Sequence, residues 1–170
     1  MGHPVLRQKA RAVPPAMVQT PALQRLIDDM IETMADYDGI GLAAPQVRQA
    51  LRLVVVGNPE PAADDPEAPS HRVFVNPEWL DLAGAASEGW EGCLSLPGLR
   101  GVVPRSTCVQ VRALDREGNG FDRRATDLEA RALQHEMDHL DGLLFPDRMT
   151  DLRTLTFQDE YVRYWAPPPE

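Results

Sequence analysis

The stretch TDLEARALQHEMDHL, residues 126–140, decides how the chain is read. Thr126 and Glu129 have the Thr-x-x-Glu spacing of a capping box, which predicts a helix from about Asp127 to about Leu140. His135 and His139 then sit four residues apart, separated by roughly 40° around the axis and about 6 Å along it, so both imidazoles can face one metal ion. Glu136 lies beside the first of them, where a carboxylate can serve as general base in an HExxH site. So short a motif also arises by chance in unrelated helices. Only four histidines occur in the chain, however, and two of them fall here.

Working outward, the segment STCVQVRALD at 106–115 alternates Val109, Val111 and Ala113 with Cys108, Gln110 and Arg112, the period of a strand. The turn EGNG then leads into another strand near Phe121. Upstream, LRLVVVG at 51–57 is a β-branched run closed by Gly57, and RVFVN and WLDLAG read as further strands. Between them NPEPAADDPEAPSH, 58–71, mixes four prolines with four acidic residues and reads as a surface loop. Near the N-terminus Thr20 suits a helix N-cap and Pro21 its first position. Leu23, Leu26, Ile27, Met30, Ile31 and Met34 follow at the spacing of one apolar face, so an amphipathic helix is expected to end before Gly39. The last twenty residues are ambiguous between a short helix and an edge strand. The expected fold is α+β: small mixed or antiparallel sheets around a central helix carrying HExxH, with an N-terminal amphipathic helix, in a single domain spanning 1–170.

Seventeen basic against twenty-six acidic side chains give a net charge of −9, which argues against nucleic acid or an anionic membrane as the main partner. A small or peptide-like substrate fits better. Two cysteines, and no basic stretch followed by a long apolar one, suggest a reducing, cytoplasmic setting.

A catalytic HExxH site needs a third ligand. The extended pattern HExxHxxGxxH matches through Gly142 but meets Phe145 where the last histidine would stand. A carboxylate from Asp159 or Glu160, on a later helix, is a second option and would make a zinc metallopeptidase. The third is Cys93, set in WEGCLSLPG between glycines and a proline. Two His and one Cys would leave a fourth position open, as catalysis requires. Cys108, inside its strand, reads as core filler.

Three segments, GIGLAAPQ at 39–46, EGCLS at 91–95 and QHEMDHL at 134–140, resemble in order and wording the three motifs of the peptide deformylase family. The resemblance extends over nearly the whole chain. It implies Cys93, His135 and His139 as metal ligands and Glu136 as catalytic acid and base, with the Gln46 side-chain amide and the Leu94 backbone N–H stabilising the oxyanion. It implies the N-formyl group of newly made formyl-methionyl polypeptides as substrate; action at the ribosome and a monomeric state are further expectations. Gly39, Ile40, Gly41, Glu91, Gly92 and Leu133 are the expected substrate-binding set. Within it, Gly39 and Gly41 would let a peptide backbone come close, and Leu133 would join Leu128 and Ala132 in an apolar pocket. Glu91 has a competing reading as the acceptor that orients a ligand histidine. Asp138 and Asp141 read as the solvated face of the helix. Ligand type alone suggests zinc, whereas the resemblance implies Fe(2+), with Zn, Ni or Co able to substitute.

Overall fold

The computed structural model describes residues 1–57 and 70–167. Most of the acidic, proline-rich stretch expected as a surface loop, and the last three residues, lie outside that range. The chain runs through α1 (Pro15–Val18), α2 (Pro21–Asp36), β1 (Gly41–Ala43), β2 (Leu53–Gly57), β3 (His71–Asp81), β4 (Ala86–Cys93) and β5 (Leu96–Ser106). It continues with β6 (Cys108–Leu114), β7 (Gly120–Thr126), α3 (Asp127–Leu140), α4 (Phe145–Arg148), β8 (Thr156–Phe157) and α5 (Gln158–Tyr164). The strands form two antiparallel sheets, ordered β1-β2-β3-β6-β7 and β4-β5-β8, so the fold is α+β.

Strand β2 is an unbroken apolar run because both of its faces are covered. Val54 and Val56 join Phe74, Val109 and Val111 against Leu133, Met137 and Leu140 of α3. Leu53 and Val55, pointing the other way, join Val73 and Val75 against Leu23, Ile27, Met30 and Met34 of α2. The expected N-terminal helix forms as read, with the Thr20 hydroxyl accepting from the Leu23 N–H and Pro21 at the first turn. Leu26 and Ile31 are only partly buried at its flanks.

Three features differ from the sequence reading. Thr126 is the N-cap of α3, but its side chain makes no capping bond, and the Glu129 carboxylate is taken instead by both ends of the Arg123 guanidinium at 2.9 and 2.6 Å. A charge-assisted fork outcompetes a backbone N–H. Cys108 is half-buried rather than core, since it lies on the strand face opposite Val109. The WEGCLSLPG segment, read as a turn, is the end of a long hairpin, with Leu94 and Ser95 the turn between β4 and β5. The ambiguous C-terminal region contains both a short strand, β8, and a helix, α5.

Candidate metal centre and substrate cleft

Helix α3 presents His135 and His139 on one side, as the four-residue spacing dictates, with their ring centroids 5.1 Å apart. The tip of the β4–β5 hairpin brings Cys93 to them, its Sγ 3.2 Å from His139 Nε2. One donor atom from each of Cys93, His135 and His139 lies within 4.8 Å of the others, a group that could hold a metal ion. Sulfur and two imidazoles suit a borderline-soft divalent ion, so the residues present fit such a group. Asp159 and Glu160 are not brought there: Glu160 is half-exposed on α5 and faces Arg163, while Phe145 is buried in the core beneath the hairpin. The group that the fold brings beside the two histidines is the Cys93 sulfur, not a downstream carboxylate.

Glu136 is 4 % exposed, and its Oε2 has no hydrogen-bond partner among the described residues. Burial pushes its pKa up to about 7, poising it to exchange a proton near neutrality. A Cβ on Gly41 would stand 2.7 Å from Glu136 Oε1. The side of Gly41 where a Cβ would stand is therefore filled by the Glu136 carboxylate, while Gly41 also borders the cavity beside the donors.

Glu91 answers the question of how His135 is oriented. Its Oε2 lies 2.9 Å from His135 Nδ1, and both its oxygens accept from Arg105, at 2.9 and 3.0 Å. Burial alone would raise its pKa, but the bonds to His135 and Arg105 hold it at about 2. Burial would lower the pKa of His135, yet contact with Cys93 and Glu91 raises it to about 10. His139, buried beside that charge, is lowered to about 3. Arg105 also donates to Asp138 at 2.6 Å, and Arg148 reaches the same carboxylate at 2.7 Å. Asp138 is therefore buried and paired, which corrects its reading as a solvated residue; Asp141 is the exposed one and pairs with Arg52.

Beside the donors opens a cavity of about 650 Å³. Gly39, Ile40, Gly41 and Gln46 line it from one side, Trp90 to Arg100 of the hairpin from the other, and Leu128, Arg131, Ala132, His135 and Glu136 from α3. Gly39, Ile40, Gly41, Glu91 and Gly92 of the expected substrate-binding set thus border it. Leu133 does not: it is fully buried in the core against the large sheet, because it lies on the helix face of Met137 and Leu140, turned away from the face of Leu128 and Ala132. The Gln46 Oε1 accepts from the Ala43 N–H at 2.7 Å, which turns Nε2 toward Cys93 Sγ at 3.7 Å. Leu94 lines the cavity and is 40 % exposed. Trp90 both lines the cavity and packs on Tyr161 and Trp165. Arg105 and Arg148 were not anticipated as parts of this centre. Their only signal is that a helix with a buried Asp and a hairpin with a buried Glu need cations.

A thiol, two imidazoles and a buried carboxylate meeting at a cleft form the donor set of a metal-dependent hydrolase. Comparison with known proteins agrees. The sequence profile of polypeptide deformylase matches residues 1–154. Peptide deformylase 1 of Nitrosomonas europaea is 44 % identical over 160 residues, covering 94 % of this chain and 90 % of that protein. Peptide deformylase 2 of a Nostoc species is 44 % identical over 164 residues, covering 95 % and 89 %. The Met-Ala-Ser-bound crystal structure of a class I type b peptide deformylase from Acinetobacter baumannii superposes with a TM-score of 0.79 at 37 % identity, over 88 % of this chain and 94 % of that one. The chain belongs to the polypeptide deformylase family.

Proposed function

We propose that this protein removes the N-formyl group from the N-terminal formyl-methionine of newly synthesised polypeptides, releasing formate, and that the whole chain is one catalytic domain. The observation that carries this reading is the meeting of Cys93, His135 and His139 with an unpartnered oxygen of Glu136 beside them. Those three residues would hold a divalent ion, which when bound supplies Lewis-acid polarisation of the formyl oxygen and a water of lowered pKa. Glu136 takes a proton from the attacking water as its oxygen adds to the formyl carbon. It returns that proton to the amine nitrogen as the C–N bond breaks, so that formate and a free N-terminus leave. The Gln46 Nε2–H, fixed by the bond from Ala43, and the Leu94 N–H donate to the formyl oxygen as it gains charge.

Substrate placement follows from strand order. β1 and β4 are edge strands of the two sheets, and the cavity is lined from both of their neighbourhoods, so an extended peptide can add to an edge there. The methionine side chain then enters between Leu128, Ala132 and the hairpin. The Acinetobacter baumannii relative, bound to Met-Ala-Ser, supports a peptide beginning with methionine as the ligand. Fe(2+) is the proposed native ion, supported by the family resemblance, with Zn, Ni or Co as substitutes. The proposed partner is the nascent formyl-methionyl chain, met by a monomer in the cytoplasm beside the ribosome. Among the described residues no helix is long and apolar enough to cross a membrane.

The test is formate release from a short formyl-Met peptide by protein purified without oxygen, with and without chelator, alongside metal analysis. Chelator-sensitive release is expected. Protein that contains its metal and releases nothing would overturn the assignment.

A further inference from the structure

The donors of this centre come from pieces of chain that share no sheet. Cys93 ends β4 in the three-stranded sheet, whereas the two histidines ride on α3, which packs against the five-stranded one. A tetrahedral site tolerates only a few tenths of an ångström in its ligand positions, so something must hold hairpin and helix in register. Two side chains on α3, three residues apart, reach across the gap.

Arg131 lies over the hairpin ladder. Its Nη1 donates to the carbonyl of Val103 at 2.8 Å and to Glu91 Oε1 at 3.0 Å, with the Gly89 carbonyl at 3.5 Å, and its Nη2 donates to the Ser87 carbonyl at 2.7 Å. These acceptors belong to both strands of the hairpin. The slot that admits the guanidinium exists because residue 89 is glycine: a Cβ there would stand 2.8 Å from Arg131 Cζ. Gln134, the residue immediately before the HExxH motif, pairs with Ser106 as one strand pairs with another. Its Oε1 accepts from the Ser106 N–H at 3.0 Å and its Nε2 donates to the Ser106 carbonyl at 2.9 Å. Ser106 is the last residue of β5, and only Thr107 separates it from β6 of the other sheet. Gln134 therefore pins the point where the chain passes between sheets.

We propose that Arg131 and Gln134 are positioning residues that clip the cysteine-bearing hairpin onto the histidine-bearing helix and so set the distance from the Cys93 sulfur to the two imidazoles. The inference rests on Cys93, His135 and His139 being the metal-binding set. Neither residue reaches the donors directly; Arg131 touches Glu91, which in turn holds His135, and both act through the placement of β4 and β5. A helix side chain that satisfies backbone carbonyls of both strands leaves the hairpin little freedom to slide along the helix.

The test is Co(II) affinity, read by competition with a chromophoric chelator and by the sulfur-to-cobalt charge-transfer absorption, for Arg131→Met and Gln134→Glu, each alone and combined with Cys93→Ser. Gln134→Glu keeps the acceptor for the Ser106 N–H and turns the donor to the Ser106 carbonyl into an acceptor, so it breaks one half of that pair and is the second probe should Arg131→Met fold poorly. With Cys93 present, each variant is expected to lose about 10- to 100-fold in affinity and to weaken the charge-transfer band. In the Cys93→Ser background the same changes are expected to cost less than about threefold, because the hairpin no longer delivers the thiolate. Equal losses in both backgrounds, or none in either, would overturn the proposal. A parent protein that binds no Co(II) would sink the metal assignment and this inference with it, whereas binding without coupling to Cys93 sinks the inference alone.

Discussion

Helices α2 and α3 pack on opposite faces of the same five-stranded sheet, yet they bury different chemistry. The buried positions of α2 are Leu23, Ile27, Met30 and Met34, all apolar. Those of α3 include Leu133, Met137 and Leu140, but also Glu136, Asp138 and His139. Apolar burial needs only a complementary surface, whereas each buried polar group needs a partner or a task. Asp138 has Arg105 and Arg148 as partners. Glu136 has an oxygen with none among the described residues, and the residue lines the cavity beside the histidines. One helix is therefore an anchor, and the other carries a stripe whose polarity is tolerated because hairpin and helix satisfy it together.

The strongest challenge to this contrast is Glu136→Gln. Formate release is expected to fall by about 10²- to 10⁴-fold while metal content stays that of the parent. Thermal unfolding of the metal-free variant should occur at the parent temperature or higher, because the amide carries no charge to desolvate. A variant that keeps its activity would mean that Glu136 is merely a buried residue of α3.

Next in size is Arg105→Leu, which removes the fork on Glu91, leaving it His135 and Arg131, and leaves Asp138 on α3 with Arg148 alone. A loss of about 3–5 kcal/mol in urea-unfolding stability is expected. A loss below 1 kcal/mol would show that water, not Arg105, stabilises the two carboxylates.

On the other face, Met30→Ala should cost roughly 2–5 kcal/mol of stability with KM and metal affinity unchanged. A change in metal affinity from that side of the sheet would erase the division of labour between the helices.

The smallest effect separates the two helix starts. Thr20→Ala should cost about 1 kcal/mol, since its hydroxyl accepts from the Leu23 N–H, and Thr126→Ala much less, since its side chain makes no cap bond. Equal costs in urea titrations would contradict that difference.

Much of this was legible before the fold was known. Period placed α2 and β6, because their apolar residues recur at the spacing each element buries, while α3 was placed by a capping-box spacing whose Thr126 side chain makes no cap bond. The β4–β5 hairpin was hidden because its strands carry glycines where other side chains lie: Arg131 of α3 against Gly89, the cross-strand Arg100 against Gly92 and Met149 against Gly101. Glycine in a linear reading signals a turn, while here it marks a close approach. Leu133 misled for a related reason, since membership of the metal helix does not say which face a residue occupies.

By itself the sequence determined the helical pairing of His135 and His139 and the family, because a four-residue histidine spacing on a helix is local geometry and three motifs in order are specific. Only the tertiary structure decided that Gly41 makes room for Glu136, that Asp138 is a buried anion rather than a solvated one, and that Arg105, Arg131 and Gln134 join hairpin to helix. Those outcomes depend on contacts between residues distant in the chain, and the cost of burying a charge is settled by its partner's position, which no local pattern encodes.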